Sequence, residues 1–457
     1  MARVDIVGKT AAASVCCLLA LGAFAAIGAN GCSSSDSGGN GGDGDAGVDT
    51  NGGFQPDVGV RCPDGVTTRV TGKVYYPAKS SPDPLYNAAV FIPDGPVKRF
   101  SVGVSCDRCG ENTGTKVLTS TLTGGDGKFV LDNVPAGKNV PLVIQIGKWR
   151  RQIVIPEVKA CSDTALTPEQ TRLPRNKAEG DIPLTAIVTG RADPLECVLR
   201  KMGIDDAEFT EPLPGGSFGT GRIHVFKSAG GVDIGPTGTI SGKSLWKDLD
   251  YMKRFDVILL PCEGTARTSD KDPADMQRMA DYAAAGGRVF ATHYSYVWFQ
   301  SSPDAGWKNA ATWVPTGSVP SPLPGFINTT FPKGKAMADW LQAVGATTTL
   351  GQLDITDPRV DSPSANPPSQ TWITSKAPVS TQSFSFNTPT TAKPEDQCGR
   401  VVYSDFHVVG SDDFSPITFP AECTDSPLTA QERVIEFMLF DLASCVQKDD
   451  ETPKPPR

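Results

Sequence analysis

The sequence predicts a multidomain protein, in which an N-terminal β-sandwich precedes an α/β domain built on a doubly wound parallel sheet. Its 457 residues are enough for two or three domains of roughly 150 residues each. Residues 61–181 contain short alternating apolar runs bounded by Gly, Pro and Asp, a pattern typical of a β-sandwich. Residues 182–447 instead alternate apolar runs with helix-start signals, which is typical of a parallel sheet covered by helices.

The first 31 residues predict a signal peptide. A basic start with Arg3 and Lys9 precedes an apolar run without charges that extends to Ala29. The residues before Cys32 and the cysteine itself, Ala-Asn-Gly-Cys, resemble a bacterial lipobox, in which the cysteine carries the lipid. An ordinary signal peptide and an uncleaved anchor are the alternatives. The resemblance implies a membrane attachment through Cys32, and Ser33 after it implies the outer membrane of a Gram-negative bacterium.

Two further segments are predicted to be disordered. Residues 32–60 are mostly Gly, Ser, Asp and Asn, which cannot bury enough surface to fold and form a flexible tether. Residues 448–457 form a charged, Pro-rich tail. The net charge of −8 argues against a nucleic-acid partner, which would need a basic face.

The N-terminal block carries motifs of a known family. They are GKVY at 72–75, PLYNAAV at 84–90, GGDGKFVL at 124–131 and VPAG at 134–137. These motifs resemble the carboxypeptidase regulatory-like domain, which implies a transthyretin-like sandwich with a role in folding, spacing or ligand adhesion. A basic aromatic cluster of this block, Lys148-Trp149-Arg150-Arg151, is a candidate site for carbohydrate or other cell-wall ligands. The alternative is a strand edge whose basic residues are solvated.

The second block shows strands at residues 184–188, 223–226, 257–260, 289–292 and 400–404. Helix-start signals lie at Asp193, Asp272 and Thr429. Between about 300 and 398 the pattern is irregular, with one helix near 336–343. So long a stretch is predicted to be an insertion that forms lids or binding loops.

Candidate catalytic residues follow the strands of this second block. Ligands of open α/β sheets bind outside the carboxyl ends of the strands, where the sequence places Glu263, His293, Asp405 and His407. Imidazoles titrate near neutral pH and suit acid–base work. If the domain is catalytic, we expect His293 and His407 to act as acid and base, with Asp405 or Glu263 to orient them and the hydroxyl of Tyr294 or Tyr296 to donate a hydrogen bond. The alternative is a structural role, in which Asp405 and His407 cap the strand end and bind the insertion.

The order of these elements resembles the class I glutamine amidotransferase-like fold, a flavodoxin-like arrangement. The amidotransferases place a nucleophilic cysteine on the strand-to-helix elbow, where this chain has His293. Val408 and Val409 also stand where a Pro-Glu pair would follow the later histidine. The resemblance therefore implies the ThuA-like branch of the superfamily and not an amidotransferase.

Twelve cysteines are typical of an exported protein with disulfides. We expect four bonds, with Cys398 left over: Cys62–Cys161, Cys106–Cys109, Cys197–Cys262 and Cys423–Cys445. The alternative role for Cys262 is that of a nucleophile beside His293 or His407. A metal site of His293, His407, Asp405 and Glu263 would lack the tight ligand spacing of known motifs, so no metal and no cofactor are predicted.

Two functions remain open on the sequence alone. The first is a non-catalytic envelope lipoprotein that binds carbohydrate or envelope material, which the missing elbow cysteine favours. The second is a hydrolase that uses His293 and His407. Two imidazoles and a carboxylate that converge on an open pocket would favour the hydrolase, and a filled, apolar rim at the strand ends would favour the binding module.

Overall fold

The computed structural model describes residues 53–455, apart from 58, 79–81, 110–113, 213–218, 236–237, 318 and 409–417. The predicted signal peptide, Cys32 and most of the predicted tether lie outside the described residues. No helix in the described part of the chain is both long and apolar enough to cross a membrane.

The N-terminal block forms two sheets. Its elements are β1 (Gln55–Pro56), β2 (Arg69–Lys73), β3 (Ala89–Pro93), β4 (Val117–Leu122), β5 (Lys128–Leu131), β6 (Gly137–Ile146), β7 (Trp149–Val158), β8 (Asp163–Ala165) and the short helix α1 (Pro168–Thr171). One sheet has the order β1-β6-β3-β4, with β7 on the other side of β6, and the second has the order β5-β2-β8. Strand β1 pairs with β6, so regular structure begins within the predicted tether.

The second block is organised around one mixed sheet of ten strands. Its strands are β9 (Thr185–Thr189), β10 (Phe209–Thr210), β11 (Ile223–Lys227), β12 (Val257–Leu260), β13 (Arg288–Thr292), β15 (Leu323–Ile327), β16 (Gln352–Ile355), β18 (Gln370–Lys376), β19 (Val379–Thr388) and β20 (Gly399–Ser404), while β14 (Ala311–Thr312) and β17 (Ser364–Ala365) form a separate pair. The strand order is β10-β11-β9-β12-β13-β20-β19-β18-β15-β16. The first six strands are parallel, and the last four continue the sheet in antiparallel fashion. The chain is thus a multidomain, mixed α/β protein.

Helices cover both faces of this sheet. They are α2 (Leu195–Lys201), α3 (Lys243–Trp246), α4 (Leu249–Met252), α5 (Pro273–Ala284), α6 (Val297–Gln300), α7 (Ala305–Lys308), α8 (Pro332–Ala343) and α9 (Ala430–Ala443). Successive residues of β13 enter different cores, with Phe290 in one and Val289 in the other, as the alternation of a strand requires. Capping boxes begin α5 at Asp272 and α9 at Thr429, as the sequence predicts. Asp193 caps no helix, because Pro194 holds the N-cap position of α2.

The predicted insertion is largely part of the sheet. Strands β15, β16, β18 and β19 all lie between residues 300 and 398 and extend the parallel strands past β20. Their polar composition hides them from a pattern search: Ser383 and Ser385 on β19 are fully buried. The hydroxyl of Ser383 donates to the Tyr403 carbonyl, and that of Ser385 accepts from the Trp372 indole. Hydrogen bonding therefore replaces the apolar burial that the sequence rule looks for.

The basic aromatic cluster makes extensive internal contacts, with Lys148, Trp149 and Arg150 buried and Arg151 half-buried. Ligand binding by this cluster stays a prediction. Lys148 is buried against Asp256 of the second block, with 2.6 Å between Nζ and Oδ1. The Trp149 ring lies 5.1 Å from that of Phe440, and Arg150 pairs with Asp181 at 2.7 Å. Arg151 donates to two main-chain carbonyls, those of Glu169 and Arg172.

A two-residue turn brings this cluster to the second block. Strands β6 and β7 pair up to Ile146 and Trp149, which leaves Gly147 and Lys148 as the turn. Gly147 has a φ of +54°, and a Cβ there would lie 1.7 Å from the Ala443 carbonyl oxygen at the end of α9. A residue with a side chain cannot make this approach, so glycine lets the hairpin seat Lys148 beside Asp256.

The disulfides connect the two blocks in a way that the sequence does not predict. The expected Cys62–Cys161 bond is present. The expected Cys106–Cys109 bond is wrong: Cys106 bonds to Cys398, and Cys109 bonds to Cys445. The expected bonds Cys197–Cys262 and Cys423–Cys445 are also wrong, because Cys197 bonds to Cys423. Pairing follows spatial neighbours, which spacing along the chain does not reveal.

Candidate functional site

Three reactive side chains meet at the carboxyl edge of the parallel strands. Cys262 lies two residues after β12, His293 directly follows β13, and His407 lies three residues after β20. These strands are neighbours in the sheet, so their ends bring the three residues together. One potential ligand atom from each residue lies within 4.8 Å of the others, and all three residues are buried.

His293 occupies the centre of the site. Its Nδ1 is 3.2 Å from the Cys262 sulfur, and its Nε2 is 3.1 Å from an Asp361 carboxylate oxygen. Its backbone carbonyl accepts a hydrogen bond from the Tyr403 hydroxyl. The backbone φ of His293 is +33°, a left-handed conformation that non-glycine residues rarely adopt. Such conformations are held by the surrounding structure and concentrate at functional sites.

His407 faces the His293 ring edge-on, with 4.6 Å between the ring centroids. Its Nδ1 lies 3.3 Å from the Asp357 carbonyl oxygen, and its own carbonyl accepts from the Gln431 side chain. The other ring nitrogen, Nε2, is buried and has no hydrogen-bond partner within the described part of the chain. A buried polar atom in this state is uncommon and costs free energy unless a ligand satisfies it.

Cys262 is the one cysteine outside a disulfide among the described residues. Burial raises the pKa of its thiol well above the usual value, and the nearby charge of Asp193 raises it further. Burial also lowers the pKa of His293 to about 4, against the opposing effect of Asp361. At pH 7 the pair is a neutral thiol beside a neutral imidazole, not the thiolate–imidazolium pair of cysteine hydrolases.

Asp193 connects the segments that carry the site. One carboxylate oxygen accepts from the Thr292 hydroxyl at 2.5 Å, and the other accepts from the Val408 amide at 3.0 Å. The Thr292 oxygen in turn accepts from the Cys262 amide. Asp193 therefore holds the backbone next to each of the three cluster residues, and this is why it leaves the cap of α2.

Asp361 is the site residue that the sequence misses. It lies in the irregular stretch before β17, where no periodicity or motif marks it, and it is 1% exposed. Its second carboxylate oxygen accepts from the Thr316 amide, so the side chain is fixed with the first oxygen toward His293. The irregular segment between β16 and β17 thus supplies the carboxylate that the sequence assigns to Asp405 or Glu263.

The two predicted carboxylates have other partners. Asp405 accepts from the Tyr403 hydroxyl and from the Asp361 amide, and burial raises its pKa well above the usual range. It does not orient the His407 ring, because β20 ends at Ser404 and the strand alternation that would align them no longer applies. Glu263 accepts from Ser228 and forms a buried ion pair with Lys271.

The two tyrosines after His293 differ in position. The Tyr294 ring lies 3.9 Å from the His293 ring, and its residue is partly exposed. The Tyr296 ring packs near Trp313 at 5.9 Å, and burial raises the pKa of its hydroxyl to about 12. Tyr294 is therefore the tyrosine that borders the cluster.

Comparisons with known proteins find no family model and no curated protein that matches the chain. Among solved structures, the chain is similar to a cytoplasmic protein of Salmonella typhimurium, with 11% identity over 56% of this chain and 98% of that one and a TM-score of 0.28. A Bacteroides uniformis protein described as ThuA-like shows 10% identity over 56% and 89%, with a TM-score of 0.27. A mutant type II cohesin–X–dockerin complex of Acetivibrio cellulolyticus shows 16% identity over 32% and 78%, with a TM-score of 0.17. Similarity at these scores assigns neither fold nor function to this chain.

Proposed function

We propose that the protein is a hydrolase whose active site is the cluster of Cys262, His293 and His407, held by Asp361 and Asp193. The observation that carries this proposal is the convergence of two imidazoles and a thiol at the carboxyl edge of three adjacent parallel strands. Ligand sites of open α/β sheets lie at this edge. The proposal rests on this placement and on the chemistry of the side chains.

The state of the imidazoles supports hydrolysis over simple binding. Both rings are buried, and His407 keeps one nitrogen without a partner in the described structure. Asp361 faces the far nitrogen of His293, an arrangement that fixes the orientation of a ring in hydrolytic sites. A neutral imidazole of fixed orientation can accept a proton from water at pH 7. Lys148 and Arg150 of the basic aromatic cluster, which would carry the non-catalytic binding role, already form ion pairs within the protein.

The proposal also assigns each of the two blocks to a family. We assign residues 182–447 to the ThuA-like branch of the amidotransferase-like superfamily because His293 stands at the strand end with a left-handed backbone. We assign residues 61–181 to the carboxypeptidase regulatory-like, transthyretin-like sandwiches because of the quoted motifs. Two antiparallel-rich sheets with apolar side chains in a shared core support this second assignment.

The protein is further proposed to act in the cell envelope, on carbohydrate or other envelope material, with a lipid on Cys32 as its membrane anchor. Four disulfides support an oxidising compartment outside the cytoplasm. The outer membrane follows from Ser33 after the lipobox-like sequence. Expression of Cys32→Ala in a Gram-negative host tests the anchor: the variant should leave the membrane fraction and lose incorporated palmitate, and unchanged membrane association contradicts the assignment.

The test of hydrolysis uses p-nitrophenyl esters and p-nitrophenyl glycosides with the full-length protein. His293→Gln and His407→Gln should each lower kcat/KM by about 100-fold or more, since they remove a group that acts on water. The matched control is His224→Gln, which changes the third histidine, on β11 outside the cluster. Equal turnover by the wild type and both site variants contradicts the proposal, and so does a folded wild type that turns over neither panel.

A further inference from the structure

The unpartnered nitrogen of His407 lies in a site where two more donors already converge. The Cys262 sulfur and the His293 Nδ1 are 3.2 Å apart, and His407 brings the third donor within 4.8 Å of both. Nothing among the described residues bonds to His407 Nε2, which is buried in a residue only 5% exposed. A thiol and two imidazole nitrogens at these distances are a donor set that suits a transition metal ion.

The outer contacts of both rings fix which nitrogen carries the proton. The Asp357 carbonyl oxygen beside His407 Nδ1 only accepts hydrogen bonds, so Nδ1 must carry the proton. This leaves the lone pair of a neutral ring on Nε2. Asp361 likewise favours a proton on His293 Nε2, which leaves the lone pair on Nδ1, toward Cys262. Histidines that bind metals donate their other N–H to a carboxylate or a carbonyl in this way.

We propose that Cys262 Sγ, His293 Nδ1 and His407 Nε2 bind one zinc-class transition metal ion, with the fourth position open to water. In a tetrahedral zinc site, bond lengths of about 2.0–2.3 Å place the donor atoms roughly 3.3–3.7 Å apart. The 3.2 Å between sulfur and Nδ1 is close to this spacing, and a small movement of the His407 ring within the 4.8 Å limit completes it. Sulfur and nitrogen donors do not suit Ca²⁺ or Mg²⁺, which take oxygen ligands.

Binding converts the thiol to a thiolate. The S–H bond breaks, a sulfur–metal bond forms, and the proton leaves to solvent, so no oxidant or reductant takes part. The buried carboxyl groups of Asp193 and Asp361 lie around the cluster and favour a cation there, while Arg359 nearby opposes it. This inference rests on the proposed hydrolase and deepens it: with both imidazole lone pairs bound to a metal, the metal and not an imidazole would activate water, in the open fourth position.

The experiment uses metal-free, full-length protein with its disulfides intact and is read with Co²⁺ as a spectroscopic substitute for Zn²⁺. The wild type should bind one equivalent, with thiolate-to-cobalt charge-transfer absorption and the visible bands of a tetrahedral ion. Cys262→Ser should lose the charge-transfer absorption, and His407→Gln should weaken binding by about 100-fold or more. Asp361→Asn should weaken it by about 10–100-fold, as loss of an outer partner does. His224→Gln is the control and should bind as the wild type does.

A second measurement needs no variant. Zn²⁺ in excess of the dissociation constant should raise the Tm of the wild type, since it binds only the folded site. Failure of the folded wild type to bind Co²⁺ or Zn²⁺ overturns the inference. A charge-transfer band that persists in Cys262→Ser overturns it as well.

The metal inference and the proposed hydrolase fail separately. If the three residues bind a metal but the protein turns over neither substrate panel, the metal site is supported and the hydrolase is contradicted. If turnover depends on His293 and His407 but continues in protein that elemental analysis shows to be free of metal, the hydrolase is supported and the metal site is contradicted.

Discussion

Two buried polar clusters of this protein differ in how completely their hydrogen-bonding atoms are used. At the junction of the blocks, Lys148 Nζ donates to Asp256 and to the carbonyls of Ser101 and Gly103, and the second Asp256 oxygen accepts from the Leu184 amide. At the strand ends, His407 keeps a buried ring nitrogen without a partner in the described structure. Both clusters are buried, but only in the first do the charged side chains use all their hydrogen-bonding atoms.

The difference separates a structural cluster from a functional one. A buried ion pair with every hydrogen-bonding atom used joins the two blocks and leaves no atom for a ligand. A buried site with an unused acceptor costs stability, and a ligand repays this cost on binding. The sequence offers both as candidate functional residues, Lys148 for ligand binding and His407 for catalysis. Removal of a partner from each cluster should therefore have opposite consequences for stability and function.

The largest effect on stability is expected at the junction. Lys148→Met keeps the apolar stem but leaves Asp256 buried without its cation, which should lower the free energy of unfolding by about 3–5 kcal/mol. Urea denaturation under non-reducing conditions measures this. The control is Arg69→Met, which breaks the ion pair with Asp163. Both side chains of that pair are exposed, at 43% and 49%, so the loss of stability should be much smaller. Equal losses in the two variants would contradict the importance of burial.

A buried carboxyl group with one unsatisfied oxygen should also lower stability, and this should appear in the pH dependence of unfolding. Glu196 is buried on α2 with one oxygen that has no hydrogen-bond partner among the described residues, and burial raises its pKa from 4.5 to about 8. The folded state therefore keeps a proton between these pH values that the unfolded chain releases. Raising the pH from 4.5 to 8 should lower the free energy of unfolding, by at most about 1.4 kcal/mol per pH unit.

Glu196→Gln removes this titration while it keeps the shape of the side chain. The variant should lose that part of the pH dependence and be more stable than the wild type near pH 8. Urea denaturation at several pH values compares the two slopes. Identical slopes for the variant and the wild type would show that Glu196 is charged in the folded protein.

The smallest effect on stability is expected at His407. His407→Gln should change the free energy of unfolding by about 1 kcal/mol, because the ring makes one hydrogen bond in the described structure, from Nδ1 to the Asp357 carbonyl, besides its packing against His293. The same variant should abolish turnover. Thermal unfolding in metal-free buffer measures the stability, and a loss of about 3 kcal/mol or more would place His407 with Lys148 as a structural residue.

Much of the fold can be predicted from the sequence where local signals agree with the final structure. Apolar strands and capping boxes place β9, β11, β12, β13 and β20, together with α5 and α9. The antiparallel strands past β20 are not predicted, because β19 buries Ser, Thr and Gln side chains, and a hydrophobic pattern assigns such residues to the surface. Long-range hydrogen bonds between such side chains have no signature in the sequence. The outer strands are therefore visible only in three dimensions.

The site is predicted in part for a related reason. His293 and His407 follow apolar strands, so the rule for strand ends places them on one edge. Asp361 comes from the irregular stretch, and its approach to His293 depends on the position of the sheet extension. Cys262 looks like a disulfide partner of Cys197 because both follow neighbouring strands, but Cys197 on α2 bonds to Cys423. These contacts depend on which loops lie close together in the folded chain, and the sequence does not reveal this.

The two cysteines at 106 and 109 carry a consequence for the mechanics of the molecule. Both lie on one loop of the first block, and both bond to the second block, at Cys398 and Cys445. A protease that cuts the backbone between the blocks would leave the fragments joined, and a pulling force on the N-terminus would reach the large sheet through sulfur as well as through the main chain. The two bonds therefore hold the blocks together independently of the main-chain connection.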